Sequence, residues 1–317
     1  MYAKANYQLH PNLNGYLDMQ YRGIHYTIEG SDDKAGDHVN VDKHWNFFNP
    51  KAGINFQKGG HNAFVSFSVA NREPNRDNFT EAGRDERPQH ETLYDYEAGY
   101  GFGNSRFHVG ANLYFMDYSN QLILTGKISE IGEALTSNIK DSYRMGIELT
   151  GGVEIARWLD WSGNLTLSRN KIKNFIESIE VYDADWNFLR EDHNDLGTTD
   201  IAFSPDIIAN SMFNFSWKQF RASFNSQFVG RQSIDNTSCK DRSIDPYFVS
   251  NLRVGYVFKP KFMKEIALDV TINNLFNEQY ETSAWVYSAM VDGERYKEDG
   301  YFTQAGTNAM ARVTFKF

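Results

Sequence analysis

Residues that could bind a metal ion or carry acid–base chemistry are few and scattered in this 317-residue chain. The eight histidines do not show the His-x-x-x-His or His-Glu spacing of zinc sites. The acidic run at residues 191–195 could bind calcium or a ferric ligand, but it lacks the spacing of an EF-hand calcium loop. The Gly99-x-Gly101-x-Gly103 run opens no helix and does not indicate a nucleotide site. We therefore expect residues 191–195 to form a solvated loop. For the protein as a whole we expect no metal site, no cofactor and no enzymatic activity.

Aromatic residues in two long polar stretches are better candidates for ligand binding. Exposed aromatic rings can pack against a hydrophobic chelate or macrocycle, and loops often carry binding function. The alternative is that these rings only pack one loop against another. The candidates are Tyr182, Trp186 and Phe188 in one stretch, and Trp285, Tyr287, Tyr296 and Tyr301 in the other.

Strict alternation of apolar and polar residues predicts that β-strands position these groups. The alternation is clear at residues 107–115, 159–168 and 266–273. About thirteen such segments occur, which favours an all-β, antiparallel fold. Near Gly23 the apolar residues change to the other side of the strand, which predicts a β-bulge.

The links between these segments alternate strictly between short and long. Short links lie near residues 11–13, 58–60, 103–105, 157–159, 218–219 and 259–264. Long polar links lie near residues 31–44, 71–91, 120–141, 176–205, 231–246 and 277–304. Aromatic residues cluster beside the short links, and others lie near the long ones. An up-and-down membrane barrel has short turns at one end, long loops at the other and aromatic girdles at both interfaces.

The last predicted strand keeps one apolar side as far as its final residue. Ala309, Ala311, Val313, Phe315 and Phe317 fall on one side of it, and polar residues alternate with most of them. An apolar side that continues to a terminal Phe suits a sheet whose outer face meets lipid.

Four further segments, together with the terminal Phe, carry a family resemblance. They are residues 69–74, 91–100, 114–121 and 273–280, and the Asn-Asn-Leu-Phe-Asn run in the last of them is the most specific. From about residue 52 to the end, the chain resembles the C-terminal part of a TonB-dependent outer-membrane receptor. The resemblance implies a transmembrane antiparallel up-and-down β-barrel, with this chain supplying about the last thirteen strands of a 22-stranded barrel.

The resemblance also implies a function and a set of partners. The chain would belong to a receptor that takes up a scarce nutrient, first a ferric siderophore, with haem or cobalamin as alternatives, driven by TonB through a plug domain. No plug, TonB-box segment or signal peptide precedes Tyr2, so residues 1–317 are expected to lack the plug domain and the first strands. The implied location is the bacterial outer membrane, with long loops extracellular and the C-terminus periplasmic. Outer-membrane lipid and the barrel-assembly machinery would be further partners, and Val313, Phe315 and Phe317 would form the assembly signal.

Charged residues on the polar side of the strands are expected to face the barrel lumen. There they would contact the plug, line the route of the ligand, or pair with one another across strands. These residues are Arg144, Glu148, Glu154, Arg221, Arg253 and Asp269.

Three other functions stay open from the sequence. A glycan-importing member of the same superfamily would share the barrel. A passive porin or fatty-acid channel would need its own closed barrel. A soluble β-rich binding module would share the alternation but not the two aromatic levels. The net charge of −9 and the lack of a basic block argue against nucleic acid as a partner.

Overall fold

The computed structural model describes residues 1–31, 38–80, 88–128 and 134–317. Within these ranges the chain is almost entirely β-strand, with one short helix, α1 (Arg76–Thr80). No helix in the described ranges has the length and apolar character needed to cross a membrane. The predicted all-β class is confirmed.

Thirteen strands in the described part of the chain form one antiparallel, up-and-down sheet, as predicted. In order they are β1 (Tyr2–His10), β2 (Leu13–Ser31), β3 (His38–Lys58), β4 (His61–Arg72), β5 (Glu91–Gly103), β6 (Phe107–Ile128), β7 (Ala134–Ala156), β8 (Leu159–Tyr182), β10 (Ile207–Trp217), β11 (Phe220–Val229), β14 (Tyr247–Phe258), β15 (Glu265–Asn273) and β18 (Asn308–Lys316). The first and last of these strands do not pair with each other, so the sheet has two open edges.

The other five strands lie in the long links. They are β9 (Phe188–Asp200), which pairs with β8, β12 (Gln232–Ser233) with β13 (Ser243–Ile244), and β16 (Glu281–Val291) with β17 (Glu294–Thr303). As predicted, residues 31–44, 120–141, 176–205 and 277–304 link neighbouring strands of the sheet, but in the described residues strand pairing continues through much of these links. Many residues of these ribbons are polar, so the hydropathy alternation fades while the backbone pairing persists. Residues 32–37, 81–87 and 129–133 lie outside the described residues.

One face of the sheet is apolar from its first strand to its last. Across the ladder, Tyr96 lies opposite both Phe67 and Phe115, and Leu268 lies opposite Val313. Such side chains stay exposed, as in the case of Val65, which is 62% exposed. A soluble protein rarely leaves an apolar surface of this extent open to water, whereas a lipid-facing surface requires it.

Aromatic rings form a row near each end of this apolar face. Toward the long links, the ring centroids of Phe67, Tyr96, Phe115 and Tyr143 follow one another at 4.9, 6.3 and 6.2 Å. Near the short turns, Phe215 lies 5.4 Å from Trp158 and 5.7 Å from Phe220. Rings at two levels are typical of the interfacial girdles of a membrane barrel. We call the two ends of the sheet the long-loop end and the short-turn end.

The pairing of β2 with β3 shows that the predicted bulge near Gly23 is wrong. Their register runs without a shift from Leu13 opposite Phe56 to Ser31 opposite His38. Beyond Gly23 it is the opposite face that becomes apolar. There the rings of Tyr26, Trp45 and Phe79 lie 5.9–6.5 Å apart, Phe79 coming from α1. The apolar side changes because the ribbon leaves the apolar band and packs inward.

Aromatic rings on the polar face lie flat over glycines of the neighbouring strand. A Cβ at Gly53 would be 2.7 Å from the ring of Tyr16, and Phe64 covers Gly99 in the same way. Only glycine leaves room for such a ring, so these pairs fix how closely the strands stack on this face.

Candidate ligand-binding surface at the long-loop end

Two hairpins meet at the long-loop end of the sheet, one formed by β8 and β9 and the other by β16 and β17. The end of β16 pairs in parallel with the end of β8, with Met290 opposite Val181 and Val291 opposite Tyr182. The Asp292 N–H donates a hydrogen bond to the Tyr182 carbonyl at 3.1 Å. The pairing brings together residues that are far apart in the sequence.

Five of the seven predicted ligand-binding aromatics lie together at this junction, and we call them the mouth cluster. Ring centroids are 5.6 Å apart for Tyr182 and Trp186, 5.9 Å for Tyr182 and Phe188, 5.0 Å for Trp186 and Tyr296, and 6.5 Å for Tyr287 and Tyr296. These separations lie in the range of favourable aromatic contacts. The cluster presents five large rings at one end of the molecule, four of which carry a polar O–H or N–H group.

A carboxylate ties the two hairpins together beneath these rings. Glu180 accepts a hydrogen bond from the Tyr182 hydroxyl at 2.9 Å and from the Tyr287 hydroxyl at 3.3 Å. Burial and the bond to Glu180 raise the pKa of Tyr182, so its hydroxyl keeps its proton and remains a donor.

Trp186 is held in an unusual backbone conformation at the tip of the β8–β9 hairpin. The turn is closed by hydrogen bonds from the Asp183 N–H to the Asn187 carbonyl and from the Trp186 N–H to the Asp183 carbonyl, both 3.1 Å. The Asp183 carboxylate also accepts bonds from the N–H groups of Asp185 and Asn187, at 2.9 and 2.8 Å. Trp186 has a φ of 61°, in the left-handed region that such turns usually give to glycine. A bulky residue there costs about 1–3 kcal/mol.

The two other predicted aromatics do not join the mouth cluster. Trp285 is half-buried with its ring over Gly300. Tyr301 reaches the Ser243 carbonyl with its hydroxyl at 3.4 Å. Both lie nearer the base of the β16–β17 hairpin, where they contact its own strands or the β12–β13 ribbon.

A charge network that was not predicted from the sequence anchors the β16–β17 hairpin, joining the exposed Arg295 to the buried Glu177, Asp235 and Arg242. The Arg295 guanidinium binds both oxygens of Glu177 at 2.9 Å. Arg242 lies 3.3 Å from Glu177 and 2.7 Å from Asp235. The hydrogen bonds from Arg295 hold the pKa of Glu177 below its usual range. Each buried charge thus has a partner, which is what makes burial tolerable.

A cavity of about 490 Å³ lies beside this network. Amide, hydroxyl and charged groups make up much of its lining, including Asn78, Thr136, Asn138, Asn236 and Arg242. This cavity could not be predicted from the sequence, because its lining comes from distant segments and each residue type is ordinary. Convergent polar groups in a recess are typical of small-ligand sites.

The acidic run at residues 191–195 lies within strand β9, so the predicted loop is a strand, although it is largely solvent-exposed as expected. Arg190 pairs with Asp192 at 2.7 Å, and the His193 ring is 2.9 Å from the Ser178 hydroxyl.

All six charged residues predicted to face the lumen lie on the polar face, opposite the apolar ladder. Asp269 is 4% exposed and lies 3.2 Å from Arg221, 3.4 Å from Arg253 and 3.1 Å from Arg312. The sequence prediction missed Arg312, which faces Asp269 directly across the last strand pair.

The remaining residues of that set do not join this group. Arg144 donates to the Ser204 hydroxyl at 2.9 Å, while Glu148 and Glu154 are exposed. In the last strand, Val313 and Phe315 lie on the apolar face opposite Leu268 and Ile266. Phe317 follows the end of β18.

Solved structures with the same fold match essentially the whole chain. The siderophore receptor PiuA from Acinetobacter baumannii matches 100% of this chain over 42% of its own, with a TM-score of 0.74 and 16% identity. The ferric yersiniabactin uptake receptor FyuA from Yersinia pestis matches 99% of this chain over 45% of its own, with a TM-score of 0.65 and 14% identity. The ferric-catecholate import receptor Fiu from K12 E. coli matches 100% of this chain over 44% of its own, with a TM-score of 0.65 and 16% identity. The chain thus spans less than half of each of these receptors.

No curated protein sequence matches this chain significantly. Residues 1–275 match the family described as TonB dependent receptor-like, beta-barrel. That match covers most of the chain, and the antiparallel sheet with its exposed apolar face is the fold it requires. The chain therefore belongs to the TonB-dependent receptor-like β-barrel family, whose members are outer-membrane transport receptors and not enzymes.

Proposed function

We propose that this chain is the C-terminal part of an outer-membrane receptor barrel that takes up a ferric siderophore with energy from TonB. In this proposal the long-loop end is extracellular, and the short turns and the C-terminus are periplasmic. The iron chelate is the cargo, and no covalent chemistry is required.

The observation that carries the proposal is the mouth cluster at the long-loop end, the end at which the polar cavity also lies. Ferric chelates combine flat apolar surfaces with polar rims. The rings of Trp186 and Tyr296 offer apolar contact area, and the tyrosine hydroxyls and cavity amides offer hydrogen bonds. The solved relatives described as siderophore or ferric-chelate receptors support the same ligand class.

The rest of the transport route would come from outside this chain. Unpaired backbone groups at the open edges of β1 and β18 would be costly in lipid. We infer that further barrel strands complete the wall and that a plug domain fills the lumen. Arg221, Arg253 and Arg312 share one carboxylate and so leave positive charge on the lumen face for the plug or the passing anionic ligand. TonB would then act on the plug from the periplasm.

Contact with lipid and assembly into the membrane belong to the same proposal. The apolar face would meet outer-membrane lipid between the two aromatic rows. The last strand, with Val313, Phe315 and Phe317, would be the segment recognised by the barrel-assembly machinery.

Ligand binding by the intact receptor, purified in detergent, tests the ligand class. Tryptophan fluorescence would be titrated with ferric siderophores of the catecholate and hydroxamate classes, and with haem, cobalamin and oligosaccharides as competitors. The proposal predicts saturable quenching by a ferric siderophore and little by the other compounds. Tightest binding of haem, cobalamin or an oligosaccharide, or saturable binding of none, would overturn it.

A further inference from the structure

Two histidines and an aspartate meet on the outer side of the β2–β3 ribbon. His25 lies directly opposite His44 in the register, and Asp42 lies on the same face two residues before His44. The imidazole rings stack with centroids 3.9 Å apart. One Asp42 oxygen is 3.0 Å from His25 Nε2 and 3.7 Å from His44 Nε2. One ligand atom from each residue can be chosen so that all three lie within 4.8 Å of one another.

These spacings suit a transition-metal ion. Bonds of about 2.0–2.1 Å from a tetrahedral ion place neighbouring ligand atoms about 3.3 Å apart. The two distances to Asp42 fall on either side of that value. The rings lie 12° from parallel, so they must rotate to aim both nitrogens at one ion. All three side chains are exposed, which leaves them free to do so.

The donor set selects the kind of ion. Imidazole nitrogens favour Zn²⁺, Cu²⁺ and Ni²⁺, whereas Ca²⁺ and Mg²⁺ prefer sites made entirely of oxygen. Two imidazoles and one carboxylate leave a further position open for water. The cluster is therefore suited to a divalent transition-metal ion.

A cross-link between β2 and β3 would stabilise this ribbon. The pairing of β3 with β4 reaches no further toward the long-loop end than Lys51, whereas β3 stays paired with β2 as far as His38. Over residues 38–50 β3 therefore has β2 as its one strand partner in the described part of the chain, and a strand paired on one side is held less firmly than one within a sheet. The inner side is covered by Tyr26, Trp45 and Phe79, and the three candidate ligands lie on the outer side.

We propose that His25, Asp42 and His44 bind one divalent transition-metal ion, of the Zn²⁺ or Cu²⁺ type, which clips β2 to β3 beyond the apolar band. The site lies on the opposite face from the lumen charges, so it is separate from the proposed transport route. Sequence spacing hides it because His25 and His44 come together only through the strand register.

Isothermal titration of the intact, metal-stripped receptor with Zn²⁺ tests the site. Wild-type protein is expected to bind one ion saturably. Loss of a partner behind a metal ligand costs about 10–100-fold in affinity, so His25→Gln or His44→Gln should weaken binding at least about tenfold. The control is His193→Gln, which alters an exposed histidine at the same end that contacts Ser178. Heat-modifiable migration on gels checks that each variant is folded.

The Cu²⁺-loaded protein gives a second readout, which does not depend on affinity. Its electron paramagnetic resonance spectrum should show coupling to two imidazole nitrogens, reduced to one in either histidine variant. Absence of saturable Zn²⁺ binding would overturn the proposal. Wild-type affinity in both histidine variants, or an equal loss in His193→Gln, would overturn it as well. Siderophore binding is measured separately, so either result leaves the transport proposal to its own test.

Discussion

At the scale of single residues, Trp186 is the strongest pointer to function. Its backbone adopts a conformation that suits glycine, and its ring is nonetheless held against Tyr182 and Tyr296. A strained residue at a loop tip is retained when something outweighs its cost. Its residue type made it a candidate from the sequence, whereas the strain could be seen only in the structure.

Replacing Trp186 with glycine separates the contribution of the ring to ligand binding from that of the turn conformation. Glycine fits a φ of 61°, so the Trp186→Gly hairpin should keep its fold. The loss of one ring contact, about 1.4 kcal/mol, corresponds to about tenfold weaker siderophore binding. Trp158→Ala, at the short-turn end, is the matched control and should bind as wild type does. Equal affinity in both variants would remove Trp186 from the binding surface.

Asp269 supports a different prediction, on stability. It is the shared partner of Arg221, Arg253 and Arg312, so Asp269→Asn leaves three guanidinium groups facing one another. Because these arginines are half-exposed, we expect a loss on the order of 1 kcal/mol in the free energy of unfolding. Urea unfolding in detergent would measure it against Glu154→Gln, an exposed carboxylate on the same face. If the two variants are equally stable, the arginine cluster does not depend on Asp269.

At the scale of elements, the position of the β16–β17 hairpin could not be predicted from the sequence. Its sequence indicates only a long polar link. In the structure, Ala284 and Val286 pack with Ile234 and Ile244 of the β12–β13 ribbon, and Arg295 binds Glu177 of β8. Contacts between ribbons distant in the sequence leave no local periodicity, so neither the network nor the cavity beside it could be predicted.

The Glu177–Arg295 pair should make the hairpin sensitive to acid. The folded pKa of Glu177 lies below its ordinary value of 4.5. Its stabilising effect is therefore fully present above pH 4.5 and is lost as the pH falls through the lower, folded pKa. Hydrogen exchange should show constant protection of β17 between pH 7 and about pH 5, and weaker protection below.

A variant tests whether that pair is the cause. Glu177→Gln should weaken the protection of β17 by about 2 kcal/mol at pH 7 and abolish its dependence on pH in the acid range. Asp192→Asn, which alters an ion pair on β9, is the control. Protection of β17 that is unchanged in Glu177→Gln would show that the hairpin is held by its apolar contacts alone.

At the scale of the whole molecule, the sequence was a good guide to the sheet and a poor one to the long links. Apolar residues recur at every second position along the strands, which predicts about thirteen strands and their apolar face. The alternation of short and long links predicts that strands consecutive along the chain are neighbours in the sheet. The change of apolar side at Gly23 is also visible in the sequence, but its cause is not. A ribbon leaving the apolar band and a bulge give the same pattern in one strand, and only the register with β3 distinguishes them.

Uptake of radiolabelled iron by whole cells tests the central claim most directly. Cells expressing the intact receptor as their only route for the ferric siderophore identified by titration would be compared with and without TonB. We predict accumulation that saturates with ligand concentration and disappears when TonB is deleted. Accumulation that persists without TonB would indicate a passive channel, and absence of uptake in both strains would contradict the transport proposal altogether.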